Sequence, residues 1–102
     1  MLADPGDVLT PTVAIYEVYK VLKRDASEED ALQAVAQLLR TDVVPLSETL
    51  ALEAADASLE HSLAMADAIV YATARSRDAE LVTTDADLEG LPGVVFLSKK
   101  RN

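Results

Sequence analysis

Short apolar runs alternate with longer segments of helical periodicity along this chain of 102 residues. The apolar runs predict strands at residues 8–10, 43–46, 80–84 and 94–97. Apolar side chains at helical spacing predict helices at about 12–24, after Ser27, after Ser47, and from Ser62 to about residue 77. Strands that alternate with helices form parallel sheets. The pattern therefore predicts an α/β fold class, in which a short parallel sheet carries helices on both faces.

Hydroxyl side chains mark the predicted starts of the first two helices. Thr12 is expected to be the N-cap of the first helix, and Ser27 that of the second. Asp30 follows Ser27 by three positions, which makes a variant of the capping box. Residues 85–89 are predicted to form a short turn or helix.

The residue types that are absent limit the chemistry of any site. The chain has no cysteine, which excludes disulfides, thiolate zinc sites and cysteine nucleophiles. His61 is the sole histidine, which excludes sites built on two or three histidines. A bound metal would therefore need oxygen ligands, and this favours Mg²⁺, Mn²⁺ or Ca²⁺.

The net charge of −9 opposes non-specific attraction to nucleic acid. Two basic groups stand against this background, and each is interpreted either as a solvated end or as a contact for phosphate or a partner. They are Lys20, Lys23 and Arg24, and the tail Lys99, Lys100 and Arg101. No segment reaches the ~18 apolar residues of a membrane span. The acidic start of the chain is unlike a secretory signal, so a cytoplasmic protein with no membrane partner is expected.

Three acidic residues occupy positions where apolar side chains or neutral turns are usual. Glu17 and Asp67 interrupt apolar helical stretches, and Asp85 follows a predicted buried strand. Burial of a lone carboxylate is costly, so such groups are usually paired, protonated or bound to metal. Ligands gather at the carboxyl ends of strands in parallel sheets, which is where Asp85 falls. Together the three acids predict one shared site, with the Asp67 and Asp85 carboxylates within reach of one hydrated cation.

Each acid also has a simpler interpretation. Glu17 is alternatively interpreted as an exposed helix acid that pairs with Lys20, and Asp67 as a partner of the helix dipole. Asp85 can be a turn residue that caps residues 86–89. Asp87 is interpreted as a solvated turn residue, with an auxiliary acid as the alternative. Thr83 is interpreted as a structural strand residue, with a role in orienting Asp85 as the alternative.

Two stretches resemble the PIN domain family, of the VapC-like toxin type. They are LTPTVAIYEVYKVL, residues 9–22, and SLAMADAIVYATARSRDAELVTTDADLEGLPGV, residues 62–94. The resemblance implies a three-layer α/β/α fold and a ribonuclease that depends on Mg²⁺ or Mn²⁺. It also implies that Glu17, Asp67 and Asp85 are its catalytic and metal-binding residues. The implied partners are an RNA substrate and an antitoxin protein.

The sequence differs from the family pattern at its N-terminus. PIN domains begin with a central strand that carries the first catalytic Asp, and nothing here matches it. Asp4 and Asp7 lie beside a Pro-Gly turn and cannot replace it. We therefore expect residues 1–102 to form a single PIN-like domain that is truncated at its N-terminus. Its ribonuclease activity should be weak. The missing central strand should leave an open apolar groove, which should favour a homodimer.

Two other classes of function remain open from the sequence. The chain can be a catalytically inactive PIN-like module that binds an antitoxin or another partner helix. Alternatively, the acids can form a structural ion-pair network in a protein of unrelated function. Stabilisation by Mn²⁺ would distinguish a metal site from a simple binding module.

Overall fold

The computed structural model describes residues 7–83 and 85–97, which belong to two compact units divided between Ser47 and Glu48. The described part of each unit contains two helices and one pair of parallel strands. The predicted α/β class with short parallel strands is therefore confirmed. Several predicted features lie outside the described residues: the turn beside Asp4, the strand end at Thr84, and the basic tail Lys99, Lys100 and Arg101.

The first unit contains strand β1 (Leu9–Pro11), helix α1 (Thr12–Asp25), helix α2 (Glu28–Leu38) and strand β2 (Asp42–Val44). The two strands are parallel, with Leu9 opposite Asp42 and Pro11 opposite Val44. Helix α1 packs against α2. Parallel strands need a crossover between them, and here the α1–α2 pair is that crossover.

One of the two predicted helix caps is confirmed. The Ser27 hydroxyl accepts a hydrogen bond from the Asp30 N–H at 3.0 Å, as an N-cap does. The prediction for Thr12 is wrong, because Pro11 occupies the N-cap position of α1 and makes no side-chain cap bond. The Thr12 hydroxyl instead donates to the Val44 carbonyl at 3.3 Å. This contact joins the start of α1 to the end of β2.

Few side chains are buried in the first unit. Ala31 and Val44 are buried apolar residues, and Thr10 is also buried, with 4% of its surface exposed. The Thr10 hydroxyl bonds that of Thr41, which in turn donates to the Leu38 carbonyl. Helix α1 contains no buried residue. The two helices of this unit therefore present much of their apolar surface to solvent.

The second unit contains helix α3 (Glu48–His61), helix α4 (Met65–Ser76), strand β3 (Leu81–Thr83), a 3₁₀ turn (Ala86–Leu88) and strand β4 (Val94–Phe96). Strands β3 and β4 are parallel, with Leu81 opposite Val94 and Thr83 opposite Phe96. The 3₁₀ turn matches the short turn predicted for residues 85–89. The strand predicted at 80–84 begins one residue later, at Leu81, in the structure.

Helix α4 is the most extensively buried helix of this unit. It packs against α3, and its buried residues are mostly small: Ala68, Ile69, Tyr71, Ala72, Thr73 and Ala74. The predicted start of α4 at Ser62 is wrong. Ser62 has a φ of 57°, in the left-handed region that ends regular helix, and Ala64 is the N-cap. Among the described residues, no helix has the length and apolar character to cross a membrane.

Candidate metal centre

Asp67 lies in the first turn of α4 and is half-buried. The positive end of the helix dipole favours a negative side chain at this position. This agrees with the simpler interpretation of Asp67. The dipole contribution is only about 0.3–1 kcal/mol, so it does not by itself explain an acid on a largely apolar helix.

Asp85 follows β3 and is held by a threonine of that strand. The Thr83 hydroxyl accepts a hydrogen bond from the Asp85 backbone N–H at 3.0 Å. Side-chain oxygens that bond a backbone N–H two residues on are typical of tight turns. Thr83 therefore fixes the backbone from which the Asp85 side chain extends, at the carboxyl end of the strand.

Asp85 also caps the 3₁₀ turn that follows it. Its Oδ1 accepts a hydrogen bond from the Asp87 N–H at 2.9 Å. Asp85 is thus a turn cap, as its simpler interpretation predicts. A carboxylate has about four acceptor sites on its two oxygens, so this single bond is compatible with metal binding.

Three carboxylates come together at this end of the second unit. One oxygen from each of Asp67, Asp85 and Asp87 lies within 4.8 Å of the others. We call these residues the acidic cluster, and none of them is buried. Two like charges 4 Å apart repel by about 1 kcal/mol even in water. The cluster therefore creates a negative potential that a cation would relieve.

The ligand atoms of the acidic cluster suit a hard divalent cation. Mg²⁺ binds oxygen at about 2.1 Å, so two of its ligands can be at most about 4.2 Å apart. The observed limit of 4.8 Å is close to that span, and rotation of exposed side chains can supply the difference. Mg²⁺ also keeps several water ligands, so three carboxylates form a sufficient protein contribution.

Glu17 lies on α1, in the first unit, and its side chain is exposed. The nearby Lys20 ammonium lies 5.5 Å from the centroid of the Tyr16 ring, which is a cation–π distance. The exposure of Glu17 agrees with its simpler interpretation, whereas Lys20, its expected partner, lies over the Tyr16 ring. Its role as a ligand stays a prediction that rests on the family resemblance.

Asp87 is the member of the acidic cluster that the sequence did not favour. An acid in an Asp-Ala-Asp turn is normally solvated, and Asp87 is indeed exposed. Its spacing from Asp85 was nevertheless a usable signal. The cap bond between the two residues tightens the turn, so that both carboxylates lie near Asp67.

Comparisons with known proteins agree with the two motifs. The sequence model of the PIN domain matches residues 1–94. A solved structure described as a toxin–antitoxin complex from Klebsiella pneumoniae is similar at a TM-score of 0.70 and 29% sequence identity. The similarity covers 83% of this chain and 69% of that chain. No curated protein matches the chain.

The family match extends over both units and includes all three acids that the sequence singled out. The short parallel strands and the helices between them are those of the PIN-like α/β/α class. The structural neighbour agrees with the VapC-like type that the motifs resemble. The chain belongs to the PIN domain family.

Proposed function

We propose that this chain is a metal-dependent endoribonuclease of the VapC toxin type. It would hydrolyse RNA phosphodiester bonds at the acidic cluster with Mg²⁺ or Mn²⁺. The observation that carries the proposal is the convergence of Asp67, Asp85 and Asp87 within 4.8 Å in a chain that belongs to the PIN family. Nucleases of this kind need clustered oxygen ligands, which these side chains supply.

Each residue of the site has a proposed task. Asp67 and Asp85 would contact the metal directly, and Asp87 would complete the ligand set or hold a metal-bound water. When bound, the metal would lower the pKa of a water and stabilise charge on the phosphate. Thr83 would keep the Asp85 backbone in place through its hydroxyl. Glu17 would act as a further ligand or orient water.

We also propose that the two units form a single PIN domain in a cytoplasmic protein. The continuous family match across both units supports the single domain. The family resemblance would then assign Glu17 to the same metal site as the acidic cluster. Glu17→Gln should then weaken Mn²⁺ binding, and calorimetric titration tests this role.

Metal binding by the purified chain is the primary test. Calorimetric titration with Mn²⁺ should give one specific site. Asp67→Asn or Asp85→Asn should weaken it at least ~10-fold, because each removes one of few charged ligands while keeping the side-chain shape. Asp56→Asn is the matched control, since Asp56 is an exposed aspartate on α3 outside the acidic cluster. Equal binding by all variants would refute the metal centre.

Cleavage of RNA is the second test. Cleavage of single-stranded or structured RNA with Mg²⁺ or Mn²⁺ should be weak, as the absence of a match to the first catalytic Asp implies, and EDTA should stop it. Asp67→Asn should lower turnover sharply, while Asp56→Asn should not. Cleavage that persists in EDTA or in Asp67→Asn would mean that these acids are not the catalytic ones.

A second candidate is a PIN-like module that binds a partner without catalysis. Large apolar side chains are exposed on the first two helices and at the C-cap of α2, with exposed fractions of 61% for Tyr16, 51% for Leu32 and 60% for Leu39. Exposed apolar surface of this kind is typical of interaction sites. The structural neighbour, a toxin–antitoxin complex, supports an antitoxin as the partner. The net charge of −9 favours a basic one.

The same surface supports the predicted homodimer. Sedimentation at micromolar concentration should show a dimer, and Leu32→Asp should shift it toward monomer by placing a charge in the interface. Asp56→Asn again serves as the control for altered charge. A wild-type chain that sediments as a monomer would leave the antitoxin, not a second copy, as the proposed occupant of this surface.

A further inference from the structure

We propose that Tyr71 is a positioning residue for the metal centre, because it holds the connection between β3 and β4 against α4. The inference rests on the proposed function for its consequence but not for its geometry. The connection carries Asp85 and Asp87 near its start and Pro92 near its end. Tyr71 contacts the end, and we infer that this contact keeps the carboxylates at the start in place.

One side of α4 meets this connection at three successive levels. Asp67, Tyr71 and Arg75 are spaced by four residues, so they lie one above another on the same face of the helix. Asp67 reaches the carboxylates of the acidic cluster. Tyr71 and Arg75 reach the turn before β4. The three side chains therefore contact the connection near both of its ends.

The Tyr71 hydroxyl donates a hydrogen bond to the Pro92 carbonyl, with 3.1 Å between the oxygens. Only 6% of Tyr71 is exposed, so the surrounding protein restricts where its hydroxyl can lie. Its ring also meets that of His61 edge-on, with centroids 5.6 Å apart and planes at 80°. A buried ring held on two sides gives its hydroxyl little freedom. The hydrogen bond thus fixes Pro92 relative to α4.

The Arg75 side chain lies against Gly93, the next residue of the turn. A Cβ at Gly93 would overlap Nη1 of Arg75 and would lie 3.4 Å from its Cδ and Cζ. Gly93 also has a φ of 78°, which residues other than glycine rarely adopt. This close approach gives the turn a second contact with α4, one position beyond the Tyr71 bond.

The connection is tied internally by a series of short-range hydrogen bonds. The Leu88 N–H donates to Asp85 O at 3.1 Å, that of Leu91 to Leu88 O at 3.4 Å, and that of Val94 to Leu91 O at 3.1 Å. The Leu88 side chain is buried, with 3% of its surface exposed. These bonds connect the backbone on either side of Pro92 back to Asp85, whose Oδ1 in turn accepts from Asp87 N.

The test is Tyr71→Phe, which removes the hydroxyl and keeps the buried ring. Mn²⁺ binding should weaken about three- to tenfold, the range expected when one hydrogen bond no longer preorganises the ligands. Ser58→Ala is the matched control. It removes another hydroxyl of the second unit, which donates to the Leu63 carbonyl at 2.7 Å, away from the connection. Mn²⁺ should bind Ser58→Ala as it binds the wild type.

A second measurement needs no metal. Amide hydrogen exchange of the Asp87 N–H, followed by NMR, should be faster in Tyr71→Phe than in Ser58→Ala or the wild type. If Tyr71 only stabilised the fold, Tyr71→Phe and Ser58→Ala would speed the exchange of the Asp87 N–H to the same extent. That result would overturn the proposal. Unchanged exchange and unchanged Mn²⁺ affinity in Tyr71→Phe would also overturn it. If the wild type binds no Mn²⁺, the metal centre fails, and the exchange result alone decides whether Tyr71 positions the connection.

Discussion

The Thr83 hydroxyl accepts a hydrogen bond from the backbone N–H of Asp85, with 3.0 Å between Oγ1 and N. The bond joins the last residue of β3 to the acid that follows it two positions later. Asp85 therefore leaves the strand in a defined direction. Through this contact, a strand residue restrains the backbone of one member of the acidic cluster.

We predict that Thr83→Val lowers the free energy of unfolding by about 1 kcal/mol, because valine keeps the shape and loses the hydrogen bond. Mn²⁺ binding should weaken with it, since the Asp85 backbone becomes less restrained. Urea unfolding and calorimetry measure the two effects. Thr83→Ser keeps the hydroxyl and is the control. Full Mn²⁺ affinity in Thr83→Val would show that the strand does not orient Asp85.

We predict that Asp85→Asn makes the metal-free chain equally or more stable to heat. The change removes like-charge repulsion within the acidic cluster, and the amide oxygen can still accept from Asp87 N. Added Mn²⁺ should raise the melting temperature of the wild type, since a ligand at 100 times its Kd contributes about 2.7 kcal/mol. The same addition should have little effect on Asp85→Asn. A large Mn²⁺ shift that survives the substitution would place the cation elsewhere.

Ser27→Ala should cost about 1 kcal/mol of stability, because it removes the oxygen that caps α2. Ser27→Asp should retain most of the wild-type stability, since aspartate is an equally good N-cap. Chemical denaturation of both variants measures the difference. Mn²⁺ affinity provides the internal check, because the cap is predicted to act on folding and not on the metal centre.

The pKa of the Asp25 carboxyl should lie below its ordinary value. The Arg24 guanidinium causes this, because its Nε and Nη2 donate to the two carboxylate oxygens at 2.8 and 2.9 Å. Any stability from this pair is present above the ordinary pKa of aspartate and is lost as the pH falls through the lowered value. NMR titration should show the Asp25 pKa rising in Arg24→Gln. An unchanged Asp25 titration would contradict the pairing.

Local features of the fold were predictable from the sequence, and long-range ones were not. The Ser27 cap depends on residues three positions apart, so the sequence alone was sufficient. The sequence predicts a similar role for the Thr12 hydroxyl, but it donates instead to the Val44 carbonyl, 32 positions away along the chain. The start of α4 was misplaced for a related reason. The backbone of Ser62 is left-handed, and a serine gives no local signal for that conformation.

The acidic cluster shows the same division. Apolar spacing placed Asp67 on α4, and strand polarity placed Asp85 beyond β3, so their proximity could be predicted. The proximity of Asp87 could not be predicted in this way, because its carboxylate is brought near the others by the fold of the 3₁₀ turn. Their roles in catalysis stay predictions, and so does that of Glu17.

Strand β1 runs into α1 at Pro11 without an intervening loop. Pro11 is both the last strand residue, paired with Val44, and the residue that precedes the first helical one. The rotation of α1 about its own axis is therefore set by the sheet. One residue inserted at this junction would turn every later side chain of the helix by about 100°. The direction of the Glu17 side chain thus depends on the number of residues between Pro11 and Glu17. A single inserted residue would change that direction, whatever its side chain.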